Sequence, residues 1–351
     1  LECDAGLYVV DVRDPVLGKH KDELALLAGC GRPLLPVLNF THSPDQRLGA
    51  WREALSRLGL HAIVEFDTIA PALDGETQLY DKLALLMDQH AGRLQALRED
   101  VVAQRRIRHA DALRMIAELL IDAASLRVSA EPDDASLKAA TQALRQRIRE
   151  RENDCVQALL KRYNFRSRDF PAHTLPLQGE RWGMDLFHPQ ALKDMGIHVG
   201  KGMAAGAMAG ATLDVFMAGI SLGAATVIGA AAGGLWQGAD KLGKRLLGRL
   251  KGYQELSVDD AVLRLLALRQ LGLLQSLERR GHAAQAPIEL QDIPAMDAWR
   301  EGSLPDELKE ARSRPQWSTL ADDYQADGRR HQVLRALAEH LGADSMRDAA
   351  S

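Results

Sequence analysis

Leu7-Tyr8-Val9-Val10-Asp11-Val12, Pro33-Leu34-Leu35-Pro36-Val37-Leu38-Asn39 and His61-Ala62-Ile63-Val64-Glu65-Phe66 are three short apolar runs within the first 75 residues. Each has the length and β-branched content of a strand. The stretches between them, 19–29 and 51–58, suit helices that stop at Gly29 and Gly31 and at Gly59. Strand–helix–strand–helix–strand at this short spacing predicts a parallel sheet with right-handed crossovers. The run 7–12 reads as a strand buried on both faces. Three strands make only a partial α/β domain, and the chain opens on Leu1, so the expectation is a segment of a longer protein.

Beyond residue 75 the pattern turns helical. From 76 to 128 there is no proline and one glycine, Gly92, and leucines recur at helical spacing. The spacing predicts a long helix, broken near Gly92 or within 100–108. A turn at Ser129-Ala130-Glu131-Pro132-Asp133-Asp134 leads to a second long helix over 136–163. Residues 76–170 thus read as a stalk-like αα-hairpin. Ser257 is placed to cap a leucine-rich helix running to about residue 280. Residues 281–316, with four prolines, read mostly as loop. A last helix is expected over 324–341, with a tail that frays after Gly342.

Between these lies a stretch of unusual composition. Residues 202–239 hold nine glycines and twelve alanines, and Asp214 is their one charge. Gly202, Gly206 and Gly210 stand four apart, as do Gly219 and Gly223, and Gly229 and Gly233. That spacing lays a flat stripe along one helix face and lets backbones approach closely. It predicts a Gly/Ala-rich helical hairpin within 171–255. Residues 215–239 are an uncharged run of bilayer-spanning length, though glycine and alanine contribute little transfer energy. Lys241, Lys244 and Arg245 follow directly, as basic flanks of membrane segments do. Two tightly packed helices in a dry interior would leave the same pattern.

Composition excludes several classes. With 46% hydrophobic residues the chain can build a core, which rules out global disorder. A net charge of −4 argues against a general nucleic-acid binder. Three scattered cysteines, without a CxxC, point to a reducing compartment. The histidines form no HExxH, and no Gly-x-Ser-x-Gly elbow occurs. Gly238-Ala239-Asp240-Lys241-Leu242-Gly243-Lys244-Arg245 matches GxxxxGK. It ends in Arg where a magnesium-binding hydroxyl belongs, and no strand-like run precedes it. The arginines at 145, 147, 149 and 151 alternate, which spreads them around a helix and predicts a solvated surface.

In their arrangement, residues 7–11, 33–39 and 61–66 resemble the second half of a small bacterial GTPase domain of the Era type. In that family the strand matching 33–39 ends in an Asn-Lys-x-Asp motif that reads guanine. Here the matching positions are Asn39-Phe40-Thr41-His42, so only Asn39 agrees. Phe40 stands for the lysine, and His42 for the aspartate that accepts two hydrogen bonds from the base. Phe66-Asp67-Thr68-Ile69-Ala70 falls where the last base-contacting loop would lie. The resemblance makes Asn39, Asp67 and Thr68 the candidate nucleotide contacts. It places the phosphate loop and magnesium ligands ahead of the strand at 7–11. The remainder resembles an uncharacterised C-terminal domain that follows such modules in proteobacteria, on the cues of 61–71 and the glycine-rich segment after Met195.

The expected fold is therefore a partial parallel α/β sheet of P-loop GTPase type, followed by a mostly α-helical region with the Gly/Ala hairpin. Its divisions are 1–75, 76–170, 171–255 and 256–351. The resemblance implies GTP and magnesium as ligands of the full-length protein, and no hydrolysis by these 351 residues alone. Nucleotide state would bias a hairpin that touches an anionic membrane surface, from a cytoplasmic position peripheral to the inner membrane. A homo-oligomer is open, and no nucleic-acid partner is expected. The alternative is a non-enzymatic membrane-active or scaffold protein with a structural α/β piece. A helical adaptor without nucleotide or lipid stands third.

Overall fold

The computed structural model describes residues 3–69, 71–72, 74–165, 177–178, 181–182, 184–197, 220–222, 253–279, 299–300, 303–325 and 327–347. The chain divides into two compact units. Unit 1 comprises 1–109, 168–174 and 275–287; unit 2 comprises 110–167, 175–274 and 288–351.

In unit 1, β1 (Gly6–Asp11), α1 (Gly18–Ala28), β2 (Leu34–Asn39), α2 (Leu48–Arg57) and β3 (Val64–Glu65) follow in the expected order. The sheet is all parallel, β1-β2-β3, with Gly6 opposite Leu34, Asp11 opposite Asn39 and Val37 opposite Val64. Gly31 and Gly59 take positive φ after α1 and α2, the left-handed turns that glycine makes without strain. Val10, Val12, Leu24, Leu34, Leu38, Trp51 and Leu55 form the core, and the Trp51 Nε1 donates to the Asp14 carbonyl at 2.8 Å.

Two expectations need correction here. β3 is a two-residue pairing within 61–66. The strand β1 is buried on one face only: Leu7 and Val9 are 51% and 62% exposed, while every residue of β2 is buried. Pro36 is tolerated in the central strand for a positional reason. The Asn39 carbonyl accepts from Val12 and the Leu38 carbonyl from Phe66, so even-numbered β2 residues face β3. Pairing with β3 starts at Val37, so the missing Pro36 donor lies before that ladder.

After α3 (Gly75–Leu86) a short 3-10 turn (Asp88–His90) precedes α4 (Ala91–Ser125). The helix break therefore falls at 87–90, and 100–108 is continuous. At about 1.5 Å per residue, the 35 residues of α4 extend about 50 Å. The second half of α4, in unit 2, is buried nearly all round from Ala112 to Ser125.

In unit 2, α5 (Asp134–Arg162) runs antiparallel to α4: Arg162 pairs with Asp111, the Cys155 thiol donates to the Met115 carbonyl, and Arg151 pairs with Asp122. Asp133 caps α5 by accepting from the Ala135 and Ser136 amides. Part of the expected turn between these helices is a strand, β4 (Val128–Ala130). The two-stranded β5 (Leu177–Gln178) and β6 (Arg181–Trp182) come next, and then α6 (Pro189–Asp194). Strands β7 (Ile220–Leu222) and β8 (Gln254–Val258) join β4 in an antiparallel sheet, order β4-β8-β7.

Ser257 is consequently a buried residue of the central strand β8 and caps no helix. Asp259 caps α7 (Asp260–Arg279) instead, accepting from the Ala261 amide. Within the stretch read as loop, α8 (Asp306–Arg312) and a 3-10 turn (Pro315–Trp317) form. The last helix, α9 (Gly328–Arg347), continues past Gly342. A Cβ at Gly342 would lie 2.9 Å from Leu113 Cδ1, so this glycine serves close packing within unit 2 and ends no helix. Most of the glycine-rich segment, Gly202, Gly206, Gly210, Gly219, Gly223, Gly229, Gly233, Lys241, Lys244 and Arg245 included, lies outside the described residues. Among the described residues no helix is long and apolar enough to cross a membrane.

Candidate functional site at the carboxyl ends of the parallel strands

In open parallel sheets ligands bind beyond the carboxyl ends of the strands. In unit 1 that edge gathers Asp11 at the end of β1 and Arg13 just beyond it, residues 39–42 at the end of β2, and residues 67–69 after β3. Asn39 is 8% exposed. Its Oδ1 accepts from the Phe40 amide (2.8 Å), the Thr68 amide (2.9 Å) and the Thr68 hydroxyl (3.0 Å). The bond to Thr68 ties the end of β2 to the loop after β3. The Asn39 Nδ2 donor has no hydrogen-bond partner among the described residues.

Asp67 is the second anchor. Its Oδ2 accepts from the His42 amide at 3.0 Å and lies 3.2 Å from His42 Nδ1. Its Oδ1 accepts from the Ile69 amide at 2.8 Å. A buried carboxylate is kept by such donors. Around this pair, Phe40 holds a positive φ of 62°, a conformation that costs a side-chain-bearing residue energy. The Arg13 guanidinium sits 3.9 Å over the Phe40 ring centroid and also bonds Asp11 through two nitrogens. The Arg13 hydrogen bond holds the Asp11 carboxyl below the usual carboxylate range, and Arg13 is raised in turn.

The candidate contacts Asn39, Asp67 and Thr68 thus converge in one place. Reading the sequence missed Arg13, which follows β1 and reaches the cluster by stacking on Phe40; an arginine two residues past an Asp at a strand end was the available signal. The fit to a nucleotide is partial. An amide donor and an aromatic–arginine stack suit a base. Among the described residues no group of three or more His, Cys, Asp or Glu is placed to hold a metal ion.

Other candidates are structural. The arginines of 145–151 were expected to face solvent; all four are half-buried, and three of them are paired within unit 2. Arg147 donates to the Leu320 carbonyl, Arg149 pairs with Asp185, and Arg151 with the fully buried Asp122. Asp122 also binds Arg330 and the amide and hydroxyl of Thr319. Glu152 pairs with Arg269, which donates to the Met184 carbonyl as well. His109 bonds Glu278 at 2.7 Å, and that bond raises its pKa. Burial pushes the Cys155 thiol up to about 12, which removes it as a nucleophile.

Comparison with known proteins gives one match. A family described as Domain of unknown function (DUF3482) matches residues 52–339. No curated protein and no solved structure matches the chain. The matched span holds Asp67, Thr68 and nearly all of unit 2, while Asn39 and His42 precede it. With well over half of its residues inside the match, the chain belongs to the DUF3482 family.

Proposed function

We propose that unit 1 is the base-contacting half of a purine-nucleotide site in a GTPase-like protein, whose nucleotide state is passed through the helices to a membrane-contacting glycine-rich segment. The observation that carries the nucleotide reading is the Asn39 bridge. Its Oδ1 binds the loop after β3 through Thr68, and these are the two loops that the Era-type resemblance assigns to the base. The uncovered side of β1 is further support. Strands of parallel sheets are ordinarily covered on both faces, yet Leu7 and Val9 stand exposed. The strands implied by the resemblance would pair along the edge of β1 that lies away from β2, and the helices they bring would cover this face. That part would hold the phosphates of GTP and the magnesium ion they bind. This chain's residues orient the base: Asn39 offers Nδ2, and Asp67 fixes the backbone of 42 and 69 around it.

Calorimetric titration of the full-length natural protein with GTP, GDP and ATP, with magnesium, tests the nucleotide half of the proposal. Micromolar binding of at least one nucleotide is expected; no binding of any ends the reading.

The lipid half rests on the spacing of glycines in 202–239 and on Lys241, Lys244 and Arg245. In liposome flotation with anionic vesicles, the intact chain is expected to rise with the lipid. A variant lacking 202–239 is expected to stay in the dense fraction. An intact chain that also stays there removes the membrane from this proposal.

A further inference from the structure

The geometry points to His42, its ring oriented by Asp67, as the base-reading group, and to a site that takes purine nucleotides with little discrimination between guanine and adenine. The inference rests on the nucleotide reading above and concerns which base that site accepts.

The argument starts with the carboxylate. An ionised Asp is an acceptor only. Asp67 is fixed by the His42 and Ile69 amides, and its side chain is 3% exposed. A carboxylate beside the ring favours a proton on the nitrogen 3.2 Å from Oδ2, His42 Nδ1, which the Thr41 hydroxyl also approaches at 3.5 Å. In the neutral ring Nε2 then bears the lone pair, on the side of the imidazole away from Asp67. The His42 side chain is 69% exposed, so this acceptor is offered outward. A buried carboxylate thus sets the tautomer of an exposed histidine, at the position where the Era-type resemblance expects an aspartate.

The exchange alters the chemistry of recognition. A carboxylate takes two donors side by side, which guanine supplies through N1–H and the 2-amino group. Adenine lacks that pair. An imidazole Nε2 takes one donor, which guanine can give from N1–H and adenine from its 6-amino group. Selectivity built on satisfying two buried partners is large, and it falls away when a single partner remains. The site keeps other means of holding a purine. Asn39 Nδ2 is a donor without a partner among the described residues, and Arg13, stacked on Phe40 yet 45% exposed, presents a guanidinium plane to a ring. Neither distinguishes the two purines strongly.

The experiment uses the full-length natural protein with GTP, ATP and CTP, by calorimetry, alongside the nitrogen NMR signals of His42. GTP and ATP are expected to bind within about tenfold of each other, and CTP at least about tenfold more weakly, since a one-ring base stacks less. His42→Ala, at an exposed position, is expected to weaken both purine nucleotides about tenfold, the loss of one hydrogen bond. The His42 signals are expected to show a proton on Nδ1, and Asp67→Asn is expected to disturb that preference, which a purely structural Asp67 would leave alone. GTP binding more than about a hundredfold tighter than ATP overturns this inference and leaves the nucleotide reading standing. So does unchanged purine affinity in His42→Ala, or a proton on Nε2 in the wild type. Absence of binding by every nucleotide defeats the underlying reading, and this inference with it.

Discussion

Asp122→Ala is expected to lower the free energy of unfolding by about 3–5 kcal/mol, the usual loss when one member of a buried charge cluster is removed. Asp122 has no exposure. Its carboxylate takes Arg151 Nε at 2.8 Å, Arg330 at 3.0 Å, the Thr319 amide at 3.0 Å and the Thr319 hydroxyl at 2.7 Å. Its backbone carbonyl accepts from the Ser318 hydroxyl. Deleting the carboxylate strands two guanidiniums and an amide in a medium that solvates them poorly. Arg330 retains the Trp317 carbonyl, but that contact does not balance its charge. Urea unfolding measures the change as a lower midpoint at constant slope. Adding Arg330→Met to Asp122→Ala should recover part of the loss, since the second change removes a charge that the first left unpaired. A single-variant loss under about 1 kcal/mol would mean that the cluster contributes no more than an ordinary surface contact.

A second large effect belongs to Glu152 and is read as pH dependence. Burial raises its carboxyl from 4.5 to about 7, against the pull of Arg269. The folded state therefore keeps the proton more tightly than the unfolded chain. Its stabilising contribution is complete below about pH 4.5 and is lost as the pH rises towards 7. At about 1.4 kcal/mol per unit, that is a fall of at most roughly 3.5 kcal/mol. Asp185 lies nearby, but there burial is outweighed by the Arg149 hydrogen bonds and the Phe187 amide. It is held below the usual carboxylate range, so it titrates beneath this window. Glu152→Gln imitates the protonated side chain. It is expected to match the wild type at pH 5 and to exceed it in stability at pH 8, as read from urea midpoints at both. A wild type whose stability is flat between those values would show that Arg269 fully compensates the buried charge.

The sheet was legible because its evidence is local. Three apolar runs with glycine stops and short helices between them allow essentially one arrangement, and β1, β2 and β3 take it. The one-sided burial of β1 was not legible, since Leu7 and Val9 look as apolar as Val10 and Val12, and nothing in the run says which face lacks a cover. Ser257 misled for a related reason: a serine before a leucine-rich helix matches a cap, but β4 and β7 pair with both sides of β8 and draw it into the strand. Asp259, two residues on, was the better cap.

At the site, Asn39, Asp67 and Thr68 were named by the Era-type resemblance, in the two loops it assigns to the base. The Asp67–His42 contact was not, because it joins residues 25 apart in sequence. The arginines of α5 show the limit of reading periodicity. Alternation correctly spread them around the helix, yet their partners at 122, 185 and 320 lie on other elements, so the pattern could not tell paired from solvated.

The Asp122 cluster also sets an order in time. It ties together side chains up to 208 positions apart, from Asp122 to Arg330. During synthesis the ribosome delivers Asp122 and Arg151 long before Thr319 and Arg330. Unit 2 cannot close its interior until Arg330 has emerged, while the local strand–helix pairs of unit 1 need no such wait. Until then a nascent chain carries a half-assembled α4–α5 hairpin with its apolar flanks uncovered, the stage of synthesis most exposed to aggregation.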